Sequence, residues 1–182
     1  MQQALDIYRD VGDRQGEADA LLGLGDALWL QGEVQAAQEY FQQALDRYRA
    51  IGDQGNEAHA LKYLGDALGM QGKVQAAQGY HQQALNLARA IGNRLREADA
   101  LLGLGEALLL QSEVLAAQGY YQQALDIYRD IGNRLGAADA LRGLGAALRL
   151  QDEMQAAQEY VQQALDIYRD IGDRRGAADA LR

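Results

Sequence analysis

The hexapeptide GLGDAL at residues 23–28 decides how the rest of the chain is read. It returns as YLGDAL at 63–68, GLGEAL at 103–108 and GLGAAL at 143–148, a period of 40 residues. Two glycines about a leucine suggest a phosphate-cradling loop. A dinucleotide fingerprint, however, needs a third glycine three residues on, at a strand-to-helix turn. Leu28, Leu68, Leu108 and Leu148 hold that place, and no β-rich stretch precedes any copy. Self-similarity at a fixed period of this size is instead the signature of a stacked repeat array.

Composition agrees. The 182 residues contain no proline, no cysteine and no threonine, and Ser112 is the one serine. Abundant Ala, Leu, Gln, Glu and Arg point to helix almost throughout. Without cysteine there are no disulfides and no thiolate metal sites. No charged-then-apolar leader opens the chain, and no apolar run approaches the roughly 18 residues a membrane helix needs. The formal net charge of −9 argues against nucleic acid and against anionic membrane as partners. The expectation is an acidic, all-α, cytoplasmic protein without cofactor.

Within each repeat two helix-forming stretches alternate: GEADALLGLGDALWLQ (16–31), the A helix, then GEVQAAQEYFQQALDRYRAI (32–51), the B helix. Breaks fall at Gln31-Gly32 and at Val11-Gly12-Asp13, with equivalents every 40 residues. A left-handed glycine ends a helix at low cost, and a following Asp or Asn caps the next. On A, the triplet Leu21, Leu24, Leu28 recurs as 61/64/68, 101/104/108 and 141/144/148, a 3-then-4 spacing that makes one buried face. On B, Ala37, Phe41, Ala44, Leu45 and Tyr48 form the matching stripe, with a gap where Ala88 replaces tyrosine. Such hairpins cannot bury a face alone, so they stack.

Leu21, Leu24, Gly25, Leu28, Gly32, Ala37, Phe41 and Ala44, repeated four times, resemble the signature of the tetratricopeptide repeat family. The repeat is 40 residues long where the family's is about 34, and the usual closing proline is missing, so the B helix should be longer. That variant is similar to repeats of spindle-orientation scaffolds, kinesin light chains and bacterial signalling regulators. The resemblance implies a right-handed α-solenoid of stacked antiparallel hairpins, one array over 1–182. Its expected parts are a partial repeat 1–12, full repeats 16–51, 55–91, 95–131 and 135–171, and a partial repeat 175–182.

No catalytic constellation is present. His59 and His81 lack a second histidine or carboxylate pair at metal-ligand spacing, and His81 occupies the B-stripe place of Phe41, Tyr121 and Val161, which favours packing. The tyrosines at 40, 80, 120, 160 and at 8, 48, 128, 168 read as packing ladders. Arg9, Arg49, Arg129 and Arg169 each follow an aspartate by three residues, which predicts intrahelical ion pairs. Gly25, Gly65, Gly105 and Gly145 sit mid-helix at a cost of about 1 kcal/mol each relative to alanine. Facing them against Ala37, Ala77, Ala117 and Ala157 would let two helices approach closely. A large side chain at Gly25 should then overpack the hairpin, and one at Gly23 should be tolerated because Tyr63 already stands there.

The resemblance implies that A helices line a concave groove for extended peptides or partner helices. It places Asp19, Leu22, Asp26 and Trp29, then His59, Lys62, Asp66 and Met70, then Asp99, Leu102, Glu106 and Leu109 on that groove, with Asp139, Arg142 and Arg149 from the fourth repeat. The expected function is a non-enzymatic protein-interaction scaffold taking a basic, amphipathic segment, with Trp29 as anchor. A second expectation is self-association, head to tail or by helix exchange, through the partial repeats, where Met1 aligns with Phe41 and Arg182 with Leu22. A third is a sensor segment of a larger bacterial signalling protein.

Overall fold

The computed structural model describes residues 2–181, so Met1 and Arg182 and the register drawn from them lie outside the described residues. Ten helices follow one another: α1 Gln2–Val11, α2 Arg14–Leu30, α3 Val34–Ile51, α4 Gln54–Met70, α5 Val74–Ala90, α6 Arg94–Leu110, α7 Val114–Asp130, α8 Arg134–Arg149, α9 Met154–Asp170 and α10 Arg174–Ala180. There is no strand among the described residues. The chain divides after Arg96 into two compact units. In the first, α1 packs on α2, α2 on α3, α3 on α4 and α4 on α5; in the second, α7 packs on α8, α8 on α9 and α9 on α10. Helices are antiparallel neighbours because the linkers are short.

The breaks do what their residues dictate. Gly52 stands at φ 74°, the left-handed conformation that closes α3. The next residue caps the following helix: Asp13, Asp53, Asn93, Asn133 and Asp173 accept the backbone N–H three residues on at 2.9–3.1 Å. At the A-to-B turns Gly32 and Gly72 are replaced by Ser112 and Asp152, which keep the same left-handed backbone at φ 62°.

The stripes are largely buried. Leu61, Leu64 and Leu68, Leu101, Leu104 and Leu108, and Leu141 and Leu144 are all in the core, as are Ala37, Phe41, Ala44, Leu45 and Tyr48. Leu24, Leu28 and Leu148 are only half-buried.

The role of the mid-helix glycines differs from the expectation. What a side chain at these positions meets first is the ring or branched side chain four residues beyond the alanine. A Cβ at Gly65 would stand 2.5 Å from His81 Cε1, and one at Gly105 2.6 Å from Tyr121 Cε1; at Gly25 it would collide with Phe41. Only at Gly145, where the opposing residue is the smaller Val161, does the alanine enter, through the Ala157 carbonyl at 3.2 Å. Ala37, Ala77, Ala117 and Ala157 are buried, but the glycines make room for the larger neighbour. Gly143, the equivalent of Gly23, also lies against Tyr121, so the tolerance expected at Gly23 does not extend to that repeat.

The tyrosine ladder at 48, 128 and 168 proves to be a latch. Each ring is buried, and its hydroxyl donates to the aspartate of its own A helix: Tyr48 to Asp19 at 2.8 Å, Tyr128 to Asp99 at 2.8 Å, Tyr168 to Asp139 at 2.6 Å. The flank of the ring lies on the glycine in the first turn of the next A helix, Gly136 for Tyr128 and Gly176 for Tyr168. Glutamine pairs tie successive repeats at the opposite edge, Gln71 to Gln38 at 2.7 Å and Gln118 to Gln151 at 2.9 Å. The arginine ladder also corrects its expectation. Arg9 and Arg49 reach forward to Glu17 and Glu57 at 3.0 and 2.9 Å. Where that glutamate has become Ala177, Arg169 lies instead 3.9 Å from Asp166 on its own helix.

Candidate functional site

Residues of α2, α3 and α4 come together in the first unit around Tyr63, which stands where other repeats have glycine. Without a glycine here, α4 can place a ring flat on Phe41, with centroids 4.7 Å apart and planes 15° from parallel. Trp29 tilts against Phe41 at 6.5 Å, and His59 against Tyr63 at 4.6 Å. Lys62 lies over the Tyr63 ring, 5.0 Å from its centroid, and pairs with Asp66 at 2.6 Å. The Tyr63 hydroxyl donates to Asp26 at 3.4 Å. The first unit therefore presents Trp29, Tyr63 and His59, half-buried around the buried Phe41 ring and edged by Asp26, Lys62 and Asp66.

Burial sets the protonation of these groups. It pushes the Asp26 carboxyl up, against the lowering effects of Tyr63 and Lys62. It pushes the Tyr63 hydroxyl up to about 12, with Asp26 adding to the shift. It pushes His59 down to about 3, helped by the Arg96 and Lys62 cations, so this imidazole is neutral at physiological pH. His81 is likewise held low by burial, against the pull of Asp66.

Several expected groove residues have other duties. Leu22 is buried and belongs to the core, because its stretch of α2 is covered by neighbouring helices. Asp19 and Asp99 accept the latch hydroxyls, so their carboxylates already carry a strong donor before any partner arrives. In the second unit Asp139 is held in the same way, with Arg142 at 4.0 Å. Leu102 and Leu109 are half-buried, and Glu106, Arg149 and Met70 are exposed. Among the described residues no three His, Asp or Glu side chains gather as a metal-binding set.

Two features escaped the sequence reading. One is the latch itself. Its signal was present as a coordinated exception: where Ala88 replaces the tyrosine, His59 replaces the aspartate and Arg96 the glycine. The other is Tyr63, noted only as an exception to glycine, although it is the centre of this group of rings.

The tetratricopeptide repeat profile matches residues 1–50, 39–90, 56–130 and 96–170. The chain belongs to the tetratricopeptide repeat family. Tetratricopeptide repeats are generally non-catalytic interaction modules, and the structural neighbours agree on the fold. Aspartyl phosphate phosphatase F from Bacillus subtilis superposes with a TM-score of 0.84 at 15% identity, covering 99% of this chain and 47% of that one. The chain thus spans about half the length of the phosphatase. BtubC (BKLC) from P. vanneervenii superposes with a TM-score of 0.76 at 16% identity, covering 99% of this chain and 85% of that one. At such identities the likeness concerns the fold alone. No curated protein matches the sequence. No helix among the described residues is long and apolar enough to cross a membrane.

Proposed function

We propose that this chain is an interaction scaffold whose first unit takes a basic, amphipathic segment of a partner protein on the ridge of α2 and α4. The observation that carries this reading is the set of half-buried rings Trp29, Tyr63 and His59, gathered over the buried Phe41 with the half-buried Asp26 at its edge. Burial already disfavours the Asp26 anion, and its hydrogen bond from Tyr63 is long. A guanidinium or ammonium from a partner would add a countercharge to that of Lys62 in a partly desolvated place, where such pairing counts for more than at an open surface. Trp29 and Tyr63 would cover the apolar side of the same segment. Half-buried aromatic residues are the side chains that most often dominate binding energy.

A peptide array carrying basic-apolar, acidic-apolar and neutral segments tests this directly. Basic-apolar segments should bind, and Trp29→Ala should weaken them by about 2 kcal/mol, roughly thirtyfold. Asp66→Lys should weaken them too. Trp29 is the sole tryptophan, so its emission reports occupancy without a label. Equal binding of acidic segments, or indifference to Trp29→Ala, would overturn the reading.

A second reading, self-association, is supported by a groove of about 860 Å³ along α9, lined by Ala157, Val161, Leu165, Ala180 and Leu181. It is flanked by exposed Leu150 and Met154. Inside the units the corresponding face of α3 or α7 is covered by the next A helix. The α2 helix of a second copy carries the matching Leu24 and Leu28 stripe, half-buried in its own chain. Light scattering over a wide concentration range decides this: an unchanging monomer mass removes the reading.

A further inference from the structure

His81 is the polar side chain least explained by its surroundings. It is 2% exposed, in a place filled by Phe41 and Tyr121 in neighbouring repeats, and presses on Gly65 as those rings press on Gly25 and Gly105. Its Nδ1 has no hydrogen-bond partner among the described residues. Packing alone would be served better by phenylalanine, since a buried polar atom without a partner is destabilising. The property that imidazole adds is a titratable proton.

The opposite nitrogen, Nε2, lies 3.6 Å from Asp66 Oδ1, too long for a hydrogen bond. The other oxygen of that carboxylate, Oδ2, is taken by Lys62 Nζ at 2.6 Å. One carboxylate therefore stands between a surface ammonium and a buried imidazole. Asp66 and Lys62, both on α4, are the charges that act on the ring. The other titratable groups of this face are turned to one another: His59 lies on Tyr63, and Tyr63 donates to Asp26 on α2.

We propose that Asp66 is a shared carboxylate that changes partner with pH, pairing with Lys62 while His81 is neutral and with His81 once the ring is protonated. The proton comes from water and adds to the ring nitrogen that lacks one. Movement of the Asp66 carboxylate by less than an ångström would close the gap to Nε2 at the expense of the Lys62 contact. The Lys62 ammonium then turns to the groove side of the first unit, beside Tyr63. The window follows from the direction of the His81 shift. Burial favours the neutral ring, so the Lys62 pairing holds at and above the ordinary imidazole range near pH 6.5. Below that range the His81 contribution to stability is lost as pH falls. His59, held at about 3, stays neutral throughout and does not relay the change. A weaker hold on basic segments in acid also follows, and that consequence alone rests on the groove reading.

The test is an NMR pH titration of the whole chain from about pH 8 to pH 5, with the two imidazoles assigned through His59→Gln. The His81 signals should move with a midpoint below about 6.5, and the Lys62 ε-methylene signals should move with the same midpoint. Asp66→Asn should abolish the Lys62 movement and lower the His81 midpoint further, since the carboxylate favours the protonated ring. His81→Phe, which keeps the ring packing, should leave Lys62 flat even if Asp66→Asn fails to fold. A His81 that does not titrate above pH 5, or a Lys62 that moves in His81→Phe, would overturn the proposal. Since no peptide is added, failure here is distinct from failure of the scaffold reading.

Discussion

The α4–α5 hairpin of the first unit and the α8–α9 hairpin of the second are written on the same 40-residue pattern, and they are fastened differently. In α8–α9 the Tyr168 hydroxyl reaches Asp139 at 2.6 Å, and its ring lies on Gly176. In α4–α5 all three partners are replaced together, by Ala88, His59 and Arg96. The tyrosine's place is taken by a buried alanine. The histidine that replaces the aspartate tilts against Tyr63. The difference teaches that a repeat array can give up one internal fastening and use the positions elsewhere. Here they enlarge an aromatic and polar ridge, and a second histidine sits where neighbouring repeats carry a ring or valine.

The contrast can be broken first at the mid-helix glycines. Gly65 faces the enclosed His81 ring, whereas Gly145 faces Val161, which is half-buried beside the open groove of α9. Gly65→Leu should therefore cost about 3 kcal/mol by overpacking, and Gly145→Leu about 1 kcal/mol, in denaturant unfolding. Equal losses would mean that both hairpins are equally enclosed.

The latch comes next. Tyr168→Phe removes one donor from Asp139 and should cost about 2 kcal/mol, the usual worth of a hydrogen bond to a charged group. Grafting the latch into the other hairpin with His59→Asp, Ala88→Tyr and Arg96→Gly together should raise the melting temperature. Ala88→Tyr alone should lower it, because the ring would meet the long Arg96 side chain where Tyr128 and Tyr168 lie on glycine. If the single change stabilises as much as the triple one, the three positions are not coupled.

The smallest effect concerns α5 and α9 themselves. Gly79 is mid-helix and exposed, and a Cβ there meets nothing within 4 Å, whereas α9 carries Glu159 at the same place. Gly79→Ala should stabilise by about 1 kcal/mol through the lost backbone freedom of the unfolded chain. A destabilising result would reveal a contact on this face that glycine alone permits.

Much of this was legible beforehand. The hexapeptide period, the leucine triplets and the Gly-Asp breaks specify hairpins, since helix ends and apolar stripes depend on residues a few positions apart. The site was less legible, because its groups come from different helices. Asp19 and Asp99 read as groove acids, yet the latch that occupies them joins residues 29 positions apart. Leu22 read as surface and is core. Arg9 and Arg49 read as partners of the aspartates three residues before them, and the structure gives them glutamates eight residues ahead, across a turn.

By itself the sequence determined the repeat, its helices, their caps and the family, because each rests on local backbone chemistry recurring at a fixed interval. Only the tertiary structure decided what Gly25, Gly65 and Gly105 are for, and which carboxylates are already engaged. It also decided that Tyr63, His81 and Asp66 share one face of the first unit. Those facts depend on distances between helices, which are set by the volumes of rings packed between them and are not written at any single position.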